Sequence, residues 1–129
     1  MSDIPQDLYY TEEHEYLKAA DEESVYFVGV TDYAQGELGD VVFLELPDLG
    51  VSFKRMDTFG TIEAVKAVSD LFAPLDGTVV AVNAALEDDP SLVNTDPYGA
   101  GWMIKMKLSD SADLDGLLDA DAYGEHVGD

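Results

Sequence analysis

A chain of 129 residues with 47% apolar content can bury one modest core and has little room for two. It contains no cysteine, which excludes disulfides, thiolate metal sites and a cysteine nucleophile, so any thiol chemistry must arrive with a cofactor. Its formal net charge of -22, from 28 acids against 6 bases, repels nucleic acid and anionic membrane surfaces alike.

The acidic start, Met1 to Pro5, lacks the apolar stretch of a signal peptide. No apolar run approaches the ~18 residues of a membrane span. A soluble cytoplasmic protein is therefore expected. The acids are dispersed along the chain, and self-repulsion on this scale needs screening. A halophilic, high-salt cytoplasm is the favoured explanation, ahead of a surface built for a basic partner.

In chain order, Val25 to Val30 is β-branched and aromatic on both faces, which predicts a buried strand. Thr31 is placed to N-cap a short helix through Tyr33, Ala34 and Leu38, with Gly39 as its stop. Val41 to Leu46 predicts a second strand that Pro47 ends, and Thr78 to Val82 a third. Asn83 can cap a turn through Leu86 before Pro90. Gly101 to Leu108 alternates, which predicts Trp102, Ile104, Met106 and Leu108 on one face and Met103, Lys105 and Lys107 on the other. Ser109 or Ser111 can cap a terminal helix, about 111–124, with Leu114, Leu117 and Leu118 as its apolar stripe. Short strands separated by Gly and Pro turns predict a mainly β fold, a sandwich or barrel with peripheral helices, in a single domain over 1–129.

Five lysines occur, and four have plain accounts. Lys105 and Lys107 fall on the polar face of an alternating strand, Lys54 precedes Arg55 in a polar connection, and Lys18 lies in an acidic stretch. Lys66 sits in the strand-like run Ile62-Glu63-Ala64-Val65-Lys66-Ala67-Val68-Ser69-Asp70-Leu71. On pattern alone it reads as a solvent-facing strand lysine near Glu63 and Asp70.

The longer segment from Gly60 to Gly77 resembles the lipoylation signature of glycine cleavage H proteins, in which Glu-Ser-Val-Lys-Ala is followed by Ser-Asp and then by Pro and Gly. One position departs from it, since the usual Ser is Ala64 here. Further blocks are similar in the same order: Tyr10-Thr11-Glu12-Glu13-His14-Glu15-Tyr16, then Val28 to Gln35, Leu38 to Phe43, Asn94 to Gly99, Gly101 to Lys105, and Leu117 to Tyr123. Together they cover nearly all of the chain from Tyr10 to Tyr123.

That resemblance implies a lipoyl/biotinyl-like β-sandwich, or flattened barrel, with a lipoyl hairpin over about 58–82 and lipoate held as an amide on Lys66 at its tip. It implies a non-catalytic, monomeric carrier. Glycine decarboxylase (the P protein) loads an aminomethyl group, aminomethyltransferase (the T protein) removes the one-carbon unit, and dihydrolipoyl dehydrogenase (the L protein) reoxidises the dithiol. Lipoylating enzymes are further partners. The family folds its loaded arm into a surface cleft. Glu15 and Asp70 carry over by motif position as arm-docking candidates, with Glu63 from the signature and Glu37 from the helical segment beside the cleft.

Other carriers fit less well. Biotin domains place their lysine between two methionines, whereas Val65 and Ala67 flank Lys66. Lipoyl domains of 2-oxoacid dehydrogenases usually read Asp-Lys-Ala and lack the terminal helix. No metal site is expected, because neither histidine has a partner at ligand spacing, and His14 reads as an ordinary structural residue. No Ser-His-Asp order, P-loop or dinucleotide fingerprint supports an enzyme.

Overall fold

The structure is a computed structural model that describes residues 4–128. Met1 to Asp3, on which part of the N-terminal expectation rests, lie outside the described residues. The elements run β1 (Tyr9–Tyr10), β2 (Glu15–Ala19), β3 (Val25–Val30), α1 (Asp32–Leu38), β4 (Val41–Glu45), β5 (Ser52–Phe53), β6 (Thr58–Ala64), β7 (Val68–Phe72), β8 (Gly77–Val82), α2 (Ala85–Asp88), α3 (Leu92–Thr95) and β9 (Ile104–Leu108). A 3-10 turn (Ser111–Gly116) and α4 (Ala120–Val127) close the chain's described part.

The strands form two antiparallel sheets, one of six strands ordered β1-β2-β3-β9-β8-β5 and one of three ordered β4-β6-β7. The fold is mainly β, and the sheets do not close into a barrel. Between them lies the main core, where Leu17, Val28, Ile62, Leu71, Val79 and Ile104 are buried. Removing such side chains from water is the main stabilising term, at roughly 1.5–3 kcal/mol for each fully buried aliphatic. A second cluster joins Leu8, Tyr10, Tyr16, Ala120 and Tyr123, and attaches α4 to the larger sheet.

Local chemistry explains the elements around the site. The Thr31 hydroxyl accepts from Ala34 N and starts α1. Gly39 ends it with φ +81°, a conformation that glycine adopts without strain. Strand β4 is an edge strand, so its Val42 and Phe43 are exposed although the run reads as apolar.

Four expectations are corrected. The predicted hairpin over 58–82 ends at Phe72, because the chain crosses between sheets through buried Ala73 and Leu75, and β8 pairs with β9 and β5. The predicted strand from Gly101 begins only at Ile104. Asn83 Nδ2 donates to the carbonyls of Ala100 and Trp102, which bends that segment out of the pleat. Met103 is consequently buried, while Trp102 meets Phe27 edge-on at 5.2 Å on the face that carries Lys105. Asn83 does cap the expected turn, its Oδ1 accepting from Ala85 N and its carbonyl from Leu86 N, one residue ahead of the N-cap position of α2. The terminal helix is two pieces, and α4 is capped by Asp119, whose carboxylate accepts from Ala122 N, in place of either serine.

Candidate functional site

Val65, Lys66 and Ala67 connect β6 to β7, and Ala64 N donates to Ala67 O at 2.8 Å to close the turn. Lys66 is exposed there, and Val65 beside it is 75% exposed. The lysine thus lies at a hairpin tip, past the end of the strand in which its local pattern would place it. Its stem has a seat on α1's last turn. A Cβ built on Gly39 would stand 3.1 Å from Lys66 Cε and 3.6 Å from Cδ, so the stem lies close over Gly39 and would shift by a few tenths of an ångström for a larger residue, while the φ of +81° favours glycine there on its own account. The Val65 amide donates to Asp40 O at 2.9 Å, which holds the tip from the same side. Elsewhere, Lys18 donates to Tyr98 O and Lys105 lies over the Phe27 ring.

A cleft of about 310 Å³ opens between α1, ending at Leu38, and the hairpin strands β6 and β7. Its walls come from the turn before β2 (Glu13, His14, Glu15), from α1 (Tyr33, Ala34, Glu37, Leu38) and from the inner faces of β3, β6 and β7. Val30, Ile62 and Leu71 supply apolar walls, and Glu13, Glu15, Glu37 and Asp70 supply carboxyl groups.

Glu15 is almost fully buried, at 2% exposure. Its carboxylate accepts from Thr11 Oγ1 at 3.0 Å and from Phe72 N at 3.4 Å. Burial outweighs those bonds and pushes its pKa up to about 8, which favours the protonated form at neutral pH. A cation placed against it would favour the ionised form, since opposite charge and burial act in opposite directions. Glu15 is therefore a buried acid with raised proton affinity on the cleft wall, at a position that the family resemblance marks as an arm-docking candidate.

Three of the four acids expected to meet an arm, Glu15, Glu37 and Asp70, line this cleft. Their positions differ in kind. Leu71 and Ile62 are buried and Asp70 is exposed, so alternation along β7 puts Ser69 and Leu71 on the core-facing side and Asp70 on the other. Asp70 borders the cleft from the edge strand. Glu37 is exposed on α1. Glu63 does not line the cleft; its register with Phe43 and Val68 sets it on the outer face of the small sheet.

His14, Glu13, Tyr33 and Ser69 also line the cleft and are not singled out by the sequence. His14 reaches it because its backbone takes φ +72° at the turn between β1 and β2, which no residue pattern announces. Burial, then the neighbouring His126, lowers its pKa, against the carboxylates of Glu13 and Glu37. Its Nδ1 lies 2.8 Å from the Tyr123 hydroxyl. Among the described residues no group of three or more His, Asp and Glu is placed to hold a metal ion.

Comparison with known proteins agrees with this architecture. The family described as "Glycine cleavage H-protein" matches residues 8–129. The "Glycine cleavage system H protein" of Mycobacterium avium (strain 104) is 53% identical over 127 residues, covering 95% of this chain and 96% of that protein. The protein of the same name from Bacteroides fragilis is 54% identical over 120 residues, covering 93% and 94%. A crystal structure of a glycine cleavage system H protein from Mycobacterium marinum superposes with a TM-score of 0.87 at 40% identity, over 97% of this chain and 99% of that one. By sequence and by fold, the chain belongs to the glycine cleavage H-protein family, the carrier component of the glycine cleavage system.

Proposed function

We propose that this chain carries lipoate as an amide on Lys66 and has no turnover of its own. It would take an aminomethyl group from glycine decarboxylase to aminomethyltransferase and pass electrons to dihydrolipoyl dehydrogenase. The observation that carries this reading is the exposed Lys66 at the tip of a hairpin whose strands, through Ile62, Ser69, Asp70 and Leu71, wall an acidic, partly apolar cleft. A cytoplasmic, monomeric carrier belongs to the same proposal. No helix among the described residues is long and apolar enough to cross a membrane.

Attachment asks little of the chain beyond access. The Lys66 ammonium gives up a proton, and its amine attacks a lipoyl carboxyl activated as an acyl adenylate or thioester. The activating group departs and a neutral amide remains. The exposed tip admits an enzyme to the amine, and the strands beneath it fix where the arm begins. When attached, the lipoyl group supplies the disulfide and thiol chemistry that a cysteine-free chain lacks.

The cleft suits the other end of such an arm. Val30, Ile62 and Leu71 can cover an apolar stem and keep water from it, and a cationic end would meet Glu15, with Glu37 and Asp70 at the rim. Glu15 would then release its proton to solvent as the cation arrives, because the positive charge offsets the burial that keeps it neutral. Tethering also raises the local concentration of the arm's end at a docked enzyme.

Peptide mass spectrometry after expression in a lipoate-competent host tests the assignment. The lipoyl mass is expected on the peptide containing Lys66 alone. Biotin on Lys66, or lipoate on Lys105, would overturn it.

A further inference from the structure

We propose that Asn94, on α3, is the positioning residue for Lys66; this rests on the reading of Lys66 as the acylated amine. Asn94 is far from Lys66 in sequence, yet its side chain holds the connection on which the hairpin tip leans. Its Nδ2 donates to Gly39 O at 2.8 Å and to Gln35 Oε1 at 3.0 Å, and its Oδ1 accepts from Val41 N at 2.8 Å. One amide thereby spans the whole α1–β4 connection, Gly39–Asp40.

That connection touches the tip in two places, and the strand residues that flank them make a third contact. The Cα of Gly39 faces the Lys66 stem, where an added Cβ would lie 3.1 Å from Cε. Asp40 O accepts from Val65 N at 2.9 Å. Val41 pairs with Ala64, the last residue of β6. The turn's own closure, Ala64 N to Ala67 O, fixes its shape and leaves its direction open. The direction comes from Gly39 and Asp40, and Asn94 sets where those stand. An amide suits this post because it must donate and accept at once; a carboxylate can only accept, and an alkyl side chain can do neither.

The consequence is a lysine whose stem starts at one place for every enzyme that must find it. Acyl transfer is sensitive to such placement, and misplacement by about 1 Å can cost on the order of a hundredfold. Loss of Asn94 should therefore slow the chemical step more than it weakens encounter with the enzyme.

The test uses unmodified protein, a lipoate-attaching ligase, lipoate and ATP, with Asn94→Ala and Asn94→Asp beside wild type. Asn94→Asp keeps the acceptor for Val41 and nearly the same volume and loses the donated bonds, so it serves where Asn94→Ala fails to fold. In both variants kcat is expected to fall on the order of tenfold with KM little changed. Amide hydrogen exchange at Val65 should accelerate, while Val79, bonded to Val51 O on the other sheet, stays protected. A wild-type kcat, or a Val65 amide as protected as before, would overturn the proposal even if the melting temperature dropped. Wild-type protein that takes no acyl group on Lys66 would sink the carrier reading instead, and Val65 exchange would still decide whether Asn94 sets the tip.

Discussion

The Tyr123 hydroxyl stands 2.8 Å from His14 Nδ1 and 2.7 Å from Thr31 Oγ1. One phenol on α4 thus meets a residue of the cleft wall and the N-cap of the helix that forms another wall. The helix far along the chain is in this way a structural part of the cleft. Tyr123 also stacks on Tyr10, with ring centroids 4.7 Å apart and planes 9° from parallel.

Tyr123→Phe keeps the stacked ring and deletes the hydroxyl. Thr31 is fully buried, so its hydroxyl loses a partner with little water to replace it. Leaving such groups unsatisfied costs about 1–3 kcal/mol. The urea midpoint is expected to fall with an unchanged m-value, as for a loss of stability without a change in the surface exposed. An unchanged midpoint would show that the hydroxyl contributes nothing to holding α4 on the cleft.

Glu15 sets a pH dependence with a definite sign. Its folded pKa of about 8 lies above the ordinary 4.5, so the folded protein binds the proton more tightly than the unfolded chain. Its stabilising contribution is full below the lower value and is lost as pH rises through the upper one, at up to about 1.4 kcal/mol per pH unit between them. His14 acts in the opposite sense, since its lowered pKa favours the fold as pH rises. Glu15→Gln retains His14 and removes the titrating acid. Urea unfolding of this variant should depend less on pH than wild type across that window, and the variant should be the more stable one at its alkaline end. Parallel pH profiles would contradict the assigned burial cost.

The net charge of -22 yields a prediction about salt. The Debye length is about 30 Å at 0.01 M and about 3 Å at 1 M, so long-range repulsion among carboxylates is strong in the first and screened in the second. The melting temperature should rise steeply with potassium chloride and begin to rise well below molar concentration. Excluded salts strengthen burial even in a neutral protein, so a rise at low concentration is the part that reports charge. A flat curve would remove the halophile reading and leave the carrier reading standing.

Features with local causes were legible in the sequence. Strands β3 and β8 follow from their apolar runs, and α1 from Thr31 at one end and Gly39 at the other. Features that depend on distant partners were not. Asn83 reaches the carbonyls of Ala100 and Trp102, and so reverses the face assigned to Trp102 and Met103. Ser69 turns to the core-facing side and Asp70 stays at the rim because of their pairing with Ile62 and Thr61, which motif position does not announce. The burial of Glu15 requires Thr11, Phe72 and the opposing sheet to be in place. Local pattern alone reads Lys66 as a strand lysine, the family resemblance singled it out and supplied its hairpin, and only the three-dimensional structure shows its stem over Gly39.

The central claim is that Lys66 carries the group on which the system works. It is tested most directly by Lys66→Arg as the only H protein in a reconstituted mixture of glycine decarboxylase, aminomethyltransferase and dihydrolipoyl dehydrogenase. Arginine keeps the positive charge and does not form the stable amide. The variant is expected to fold normally by circular dichroism, to gain no lipoyl mass and to support no glycine cleavage. Glycine cleavage sustained by this variant would contradict the role of Lys66.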